Sequence, residues 1–577
     1  MSAVTSTSVP VAHQPEPYVR VEGIHVLRVR GTDYEMGRQH GELLRESIPR
    51  GPLPYFAHYV EKLLSAGLLG PFGGVSSRVI GRALSMTVGR RIAKRFPARI
   101  REAMDGLADG AGMSRKELMR AVTMPETYLW VGACYKKIFR APIGRRHGVP
   151  VLGCTSAIAW GDATKSGRML HGRNFDYQGV GVWDREQAVV FHEPKGGQRY
   201  VSVAAAGVLL GGVTAMNESG LSLVVHQHIA CTDFDLDGLP VGVVGDEVMR
   251  HAKTLDDARR ILDAHTPNGA WTYVITSARE NQAMAYEVTS DRRAVVYPQD
   301  LEGPHPATSK GGVFGYSNVY LHKNLHETEV DFYPSYWRNN MARFRRANAR
   351  LHEEYGAIDG DVIAGILGDV GEEGACRFSA ISALTTVASV VFDAGRGLVY
   401  VATGRPPVSN RSYLAFDLAR GVARTDVPHL VGGRASDDAV GAFDAYRDAY
   451  EAHFNHGDVA TARRHVGRAR ALQPAQPVYA FVDGLLALAE KDGRAALGAF
   501  DDALALGHAD PERLAAFRLW RGRALDAMGR REDALAEYRA ARVGDPNVRR
   551  AAEKNARAPW TQKSPAVEWS FGDVISP

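Results

Sequence analysis

The sequence predicts a mixed α and β fold in three parts, and three observations point to it. From Tyr34 to about Met124, apolar residues recur at three- and four-residue steps, the period of helices. After Cys154 the pattern turns to short β-branched runs parted by glycine-rich turns, the signature of strands. From about Ser436 the chain is rich in Ala, Arg and Leu and repeats itself, as an all-helical array does. At 577 residues, 45% of them hydrophobic, the chain can bury more than one core.

Residues 1–17 are polar and proline-containing, are expected to be disordered, and carry no apolar core of a secretory leader. Residues 18–30 alternate through Val19, Val21, Ile24, Val26 and Val29 and read as a strand or hairpin. The helical part shows Leu43, Leu44, Tyr59, Leu63, Leu64, Ile100, Met104 and Leu107 at helical spacing, punctuated by Gly67–Gly74 and by Pro97. Residues 125–150 are mixed and end in a basic loop from Arg140 to His147. Strands are expected at Ala188–His192, Tyr200–Ala205, Gly212–Met216, Leu221–His226, Trp271–Ser277, Met284–Thr289, Ala388–Phe392 and Leu398–Thr403. Helices are expected around Val241–His265, Tyr333–Tyr355 and Asp359–Leu367.

The C-terminal part repeats with a period of 36: Gly457, Gly493 and Gly529. An alanine stands twelve residues past each (Ala469, Ala505, Ala541), and a proline follows at Pro474, Pro511 and Pro546. The last unit, Arg523 to Tyr538, resembles a tetratricopeptide (TPR) helix pair. The domain division is 1–17, 18–153, 154–430, 437–550 and a tail, 551–577, with Val431–Ser436 as linker.

Net charge is only +5 and the basic residues are scattered, with short runs such as Arg343–Arg346, so nucleic acid is not an expected partner. Cys134, Cys154, Cys231 and Cys376 are widely spaced, without a disulfide framework or zinc pattern. No stretch approaches the ~20 apolar residues of a spanning helix, so a cytoplasmic protein without cofactor or metal is the expectation. His226-x-His228-x-x-Cys231 would need further ligands to hold a metal. Asp233–Gly238 copies the first half of a calcium loop, but position twelve is Val244 rather than Glu. Gly207, Gly211 and Gly212 fit no phosphate-loop spacing and read as turn residues near the site.

The chemistry gathers at Cys154. Val151-Leu152-Gly153-Cys154-Thr155-Ser156 leads into an alternating stretch, a turn at Lys165-Ser166-Gly167, and the return run Met169 to Tyr177. This reads as a hairpin with a thiol at its start and Arg173-x-x-Asp176 on its return strand. A cut before Cys154 would give it an α-amine of pKa about 7.7–8.0, able to take the thiol proton without a histidine. Gly153, lacking a Cβ, leaves room for the thiol to reach the preceding carbonyl.

The run C-T-S-x-x-A…G-R-x-L-H-G-R-N-F-D-Y resembles the cysteine N-terminal-nucleophile (Ntn) amide hydrolases. That group includes acid ceramidase, N-acylethanolamine amidase, the choloylglycine hydrolases and, most similar, the self-cleaving penicillin acyltransferase family. Tyr34-Glu35-Met36-Gly37-Arg38-Gln39-His40-Gly41 and Gly404-Arg405-Pro406-Pro407 extend the resemblance from about residue 18 to about residue 420. It implies an αββα sandwich, cleavage between Gly153 and Cys154, and Cys154 as nucleophile. It also implies Arg173 and Asp176 holding the amine and thiol, Asn318 in the oxyanion hole, and Arg338 as a further site arginine. The family's Thr-Asn-His is here Ser317-Asn318-Val319. Past Asn217, where bile salt hydrolases carry a second oxyanion Asn, this chain has His226-Gln227, which with Asn217 are candidate oxyanion or pocket residues. The implied reaction cleaves or forms a linear amide through an acyl-thioester on Cys154. Its partners are an N-acyl amide, or an acyl donor and an amine, with a protein partner conceivable on the repeats. The rival readings are an inert Ntn part carrying functional TPR-like repeats, and a cysteine enzyme with a histidine base and no self-cleavage.

Overall fold

A computed structural model describes residues 16–58, 74–139, 153–228, 231, 233–301, 311–329, 334–371, 379–433, 436–508, 510–544 and 546–561. The expected disordered terminus up to residue 15, the 67–73 glycine stretch, the 140–147 loop, Cys376 and the tail past 561 lie outside them.

Two sheets make the centre. The nine-stranded sheet runs edge to edge through Tyr18–Val21, Ile24–Gly31, Gln187–Pro194, Tyr200–Ala205, Thr214–Asn217, Leu221–Gln227, Trp271–Ser277, Gln282–Val288 and Arg293–Val296. The eight-stranded sheet runs Val313–Tyr316, Gly153–Gly161, Gly167–Asp176, Thr386–Asp393, Leu398–Ala402, Ser412–Asp417 and Val422–Ala423, with Leu430–Val431 also on Ser412–Asp417. All pairs are antiparallel except Ile24–Gly31 with Gln187–Pro194. Successive strand side chains alternate faces, so one set from each sheet meets in the middle: Val26, Ile158, Val189, Val224, Val390 and Val399 share that inner core. The outer face of the first sheet (Val190, Leu223, Ile275) is covered by Met36, Leu107 and Val248 of helices. That of the second (Ala157, Leu170, Val391) is covered by Ala347, Leu351 and Ile363 from the helices Pro334–Glu353 and Gly360–Leu367. The order is helix, sheet, sheet, helix, the αββα sandwich.

The N-terminal motif has a packing reason. Thr32 and Glu35 close a capping box on the helix Asp33–Leu43. A Cβ on Gly37 would lie 2.1 Å from Ala103 O, and one on Gly106 would lie 2.1 Å from Tyr34 O. Glycines on both helices therefore let Asp33–Leu43 and Ala98–Ala111 touch backbone to backbone. The helical stretch expected over Val241–His265 is two helices, Val241–His251 and Leu255–Asp263, because Thr254 caps the second through Asp257 N. The strand expected at Gly212–Met216 begins at Thr214, since Gly212 is pressed against the backbone of Gly245 and Asp246.

Past residue 436 come helices Asp437–Phe454, Val459–Leu472, Pro477–Ala489, Gly493–Leu506, Pro511–Ala527, Arg531–Ala540 and Pro546–Arg557. The repeat is there, but its middle unit is displaced by two residues. The left-handed turn positions are Gly457, Lys491 and Gly529. Ala503, not Ala505, is the buried counterpart of Ala469 and Ala541. Pro477, rather than Pro474, opens the second unit's helix. The first helix is docked on the sandwich: Glu451 takes Arg185 and Arg405, Arg447 donates to Pro406 O at 2.9 Å, and Asn455 Nδ2 donates to Val180 O at 2.9 Å. Among the described residues no helix is long and apolar enough to cross a membrane.

Candidate active site

Cys154 is the second residue of the strand Gly153–Gly161, opposite Phe175, with Gly153 opposite Asp176 and Ser156 opposite Arg173. The hairpin register thus sets the thiol beside the guanidinium. Arg173, 1% exposed, has Nη2 3.5 Å from Cys154 Sγ and 3.1 Å from Val225 O, bonds Thr214 Oγ1 through Nη1, and lies 4.4 Å over the Phe175 ring. Asp176 accepts from Thr386 Oγ1 at 2.6 Å. A Cβ on Gly153 would stand 3.0 Å from Asp176 Oδ2 and 3.4 Å from Arg343 Nη2. A side chain at 153 would crowd an acid and a cation, which glycine avoids.

Asn318 Oδ1 accepts the Cys154 backbone N–H at 2.8 Å and Arg343 Nη2 at 3.1 Å; its Nδ2 donates to Gln227 O at 2.9 Å. Arginine has donors alone, so its contact fixes the amide with oxygen toward Cys154. Asn318 is placed to hold the Cys154 nitrogen through its oxygen, while its Nδ2 is engaged by Gln227 O rather than held ready as an oxyanion donor.

Arg338 is not brought to the site. It points outward to Asp510 at 3.2 Å and to Glu512, at the start of the helix Pro511–Ala527. Five residues on, Arg343 does reach it: Nη1 lies 2.8 Å from Cys154 O and from Thr155 Oγ1, and Nε 3.0 Å from Asn339 Oδ1. The signal was in the sequence. Asn340, Arg343, Ala347 and Leu351 stand at helical spacing, and all are buried. A charged residue on the buried stripe of a helix needs partners inside, which the basic run Arg343–Arg346 concealed.

Asn217 is away from the thiol: it secures a turn, donating to Met249 O and Ala252 O and accepting from Ser219 N and Leu221 N. His226 Nε2 bonds Ser156 Oγ at 2.9 Å between the sheets, with His171 Nε2 3.4 Å from the same hydroxyl. Burial pushes His171 down to about 3 and His226 well below its usual range, so both rings are neutral. His228 instead meets Thr272 at 2.8 Å and Glu329 at 3.2 Å, and among the described residues no group of three metal-ligating side chains comes together. Asp237 of the calcium-like run is engaged by Arg91 at 2.9 Å and Arg95 at 3.4 Å. Gln227 lines the cavity at Cys154, and among the described residues both polar atoms of its side chain lack a partner.

Burial raises the Cys154 thiol; Arg173 and Arg343 pull it down and Asp176 pushes it up. Burial likewise raises Asp176 against the pull of Arg343, Thr386 and Arg173, and lowers Arg173. The thiol opens into a largely apolar cavity with Phe56, Val122, Phe175, Trp183, Val241 and Trp271 in its wall. Phe56 and Val122 come from the segment before Cys154, so both sides of the expected cut build it.

Residues 163–406 match the family model described as acyl-coenzyme A:6-aminopenicillanic acid acyl-transferase. This is the penicillin acyltransferase family that the Cys154 motif resembles; the match begins past Cys154 and includes Arg173, Asp176, Asn318 and Arg343. An uncharacterised protein of Archaeoglobus fulgidus is 25% identical over 349 residues, 58% of this chain and 56% of that protein, so the chain spans little more than half of that relative. Among solved structures, the Caenorhabditis elegans N-acylethanolamine-hydrolyzing acid amidase ortholog is 16% identical, covering 42% of this chain and 93% of that one, with a TM-score of 0.30. The N-terminal domain of stress-induced protein-1 of C. elegans is 16% identical, covering 21% of this chain and 98% of its own, with a TM-score of 0.19. The layer order is that of the Ntn sandwich, and residues 163–406 are similar to this acyl-transferase family.

Proposed function

We propose that the protein cuts itself between Gly153 and Cys154 and then works as a cysteine amidase or acyltransferase on a linear amide. The observation that carries this is the grip on the Gly153–Cys154 junction: Asn318 on the nitrogen, Arg173 at the sulfur, Asp176 and Arg343 at the glycine. In the cut, the thiol sulfur adds to the Gly153 carbonyl carbon and the C–N bond breaks. The departing nitrogen, held by Asn318, takes the thiol proton. Water then hydrolyses the thioester, leaving a Gly153 carboxylate and a free thiol and amine on Cys154. In each later turnover the α-amine takes the thiol proton, the sulfur attacks the amide carbonyl, and the amine product leaves with that proton. Gln227 Nε2, unpartnered at the cavity, is the donor at hand for the oxyanion.

The apolar cavity favours an apolar acyl group, and the acceptor, water or a second amine, decides between amidase and transferase. A histidine base is disfavoured because His226 and His171 are committed to Ser156. An inert domain is disfavoured because the Cys154, Arg173, Asp176 and Arg343 array buries charge that packing alone does not call for. The test is mass-spectrometric trapping of acyl-Cys154 with a panel of N-acyl amides; a panel that leaves Cys154 unmodified in folded protein would sink the reading.

A further inference from the structure

Glu126 has no part in the chemistry above, yet it lines the same cavity as Cys154 and is 2% exposed. It stands in the first turn of the helix Met124–Phe139, upstream of Gly153. What it meets is backbone N–H, its own and that of Val241; among the described residues no cation pairs with it. A buried carboxyl in a largely apolar wall with no cation beside it is costly to keep charged without a ligand that pairs with it.

Resting on the amide-cleaving reading, we propose that the cavity takes an acyl group whose apolar body ends in a protonated amine, and that Glu126 is the specificity residue that receives this ammonium. In the thioester the acyl group is the half that stays on Cys154, and the cavity that Cys154 shares with Glu126 is taken to hold it. Aromatic side chains flank the path, and the faces of Phe56, Trp183 and Trp271 suit both a methylene chain and a cation. Burial holds the empty carboxyl up to about 7, and an ammonium beside it would favour the charged form.

The experiment compares two p-nitroanilides, one of a medium-length ω-amino fatty acid and one of its methyl-ended isostere, on the full-length protein and on Glu126→Gln. Both the rate of p-nitroaniline release and the acyl-Cys154 adduct are read. The wild type should prefer the ω-amino acyl group by about tenfold or more in kcat/KM, and in Glu126→Gln the ratio of the two kcat/KM values should fall to about one. Equal kcat/KM for the two anilides in the wild type, or a preference that survives in Glu126→Gln, overturns the proposal. If neither anilide acylates Cys154, the amidase reading fails; equilibrium binding of the same pair to Cys154→Ala, followed by tryptophan fluorescence, then decides the ammonium preference on its own. A folded Glu126→Ala, checked by its melting curve, serves if the Gln variant does not fold.

Discussion

Arg173 and Arg343 approach Cys154 from different elements, one across a hairpin and one down from a helix, and their work differs. Arg173 touches the sulfur, so Arg173→Ala should lower kcat/KM on the order of a hundredfold or more. Asp176→Asn should do the same by removing the charge beside Gly153; initial rates on any turned-over amide check both, and values within about twofold of wild type would contradict the assignment. Arg338→Ala should leave turnover within about twofold, because its partners are Asp510 and Glu512. Glu126 adds a stability prediction. Its folded pKa, about 7, lies above the ordinary 4.5, so its contribution is full below about pH 4.5 and is lost as pH rises through 7. The full shift corresponds to about 3 kcal/mol. Glu126→Gln should therefore gain stability relative to wild type between pH 5 and 8 in urea melts; parallel pH profiles would contradict this. At this scale Cys154, Arg173, Asp176 and Asn318 were legible because they sit in a compact motif or a short strand end. Arg343 and Glu126 were not, since each depends on which face of a helix turns inward.

The strands next to Cys154 were legible because the turn Lys165-Ser166-Gly167 parts two runs of strand length, one on each side. Val313–Tyr316 and Arg293–Val296 were missed: four residues are too few for a period. Ser412–Asp417 was missed because Tyr413, Leu414, Ala415 and Phe416 are all buried, one pair on each face, and an unbroken apolar run carries no alternation. The helix Asp437–Phe454 read as the start of the repeat array, with its packing on the rest of the chain left open. Its docking changes what should follow from cutting the repeats away. Glu451 packs where a Cβ on Gly181 would be, in the loop that carries Trp183 into the cavity. A chain ending at Gly433 is expected to lose solubility and to bind amides more weakly, since an apolar face and the support of that loop go together. The milder Glu451→Gln, breaking contacts to half-exposed Arg185 and Arg405, should cost about 1 kcal/mol and raise KM more than it lowers kcat. Thermal melts and steady-state kinetics on the two proteins check this; a truncated chain with wild-type KM would show the repeats to be independent.

Across the whole molecule, one core runs from the N-terminal helices through the nine-stranded sheet into the repeats. The segment before Gly153 is tied to the rest by more than the peptide bond. Arg99 meets Asp246 at 2.7 Å and Glu247 at 2.5 Å, Arg250 meets Asp33 at 2.6 Å, and Phe56 and Val122 stand in the cavity wall. These ion pairs are largely buried and little screened, so the two pieces made by a cut should stay together through size-exclusion chromatography in about 1 M salt. Separation under those conditions would mean that the shared core is too weak to hold the cavity closed. The changes of period from helix to strand to helix were readable in the sequence, whereas the way the C-terminal helices lean on the sandwich was not, because docking faces leave no periodic trace. The account stands or falls on whether Cys154 becomes an N-terminus. Intact-mass measurement with N-terminal sequencing of the purified protein should find two polypeptides, the larger beginning Cys-Thr-Ser-Ala-Ile, and a single uncut chain for Cys154→Ala. An active protein that remains one polypeptide through Gly153 and Cys154 would contradict it.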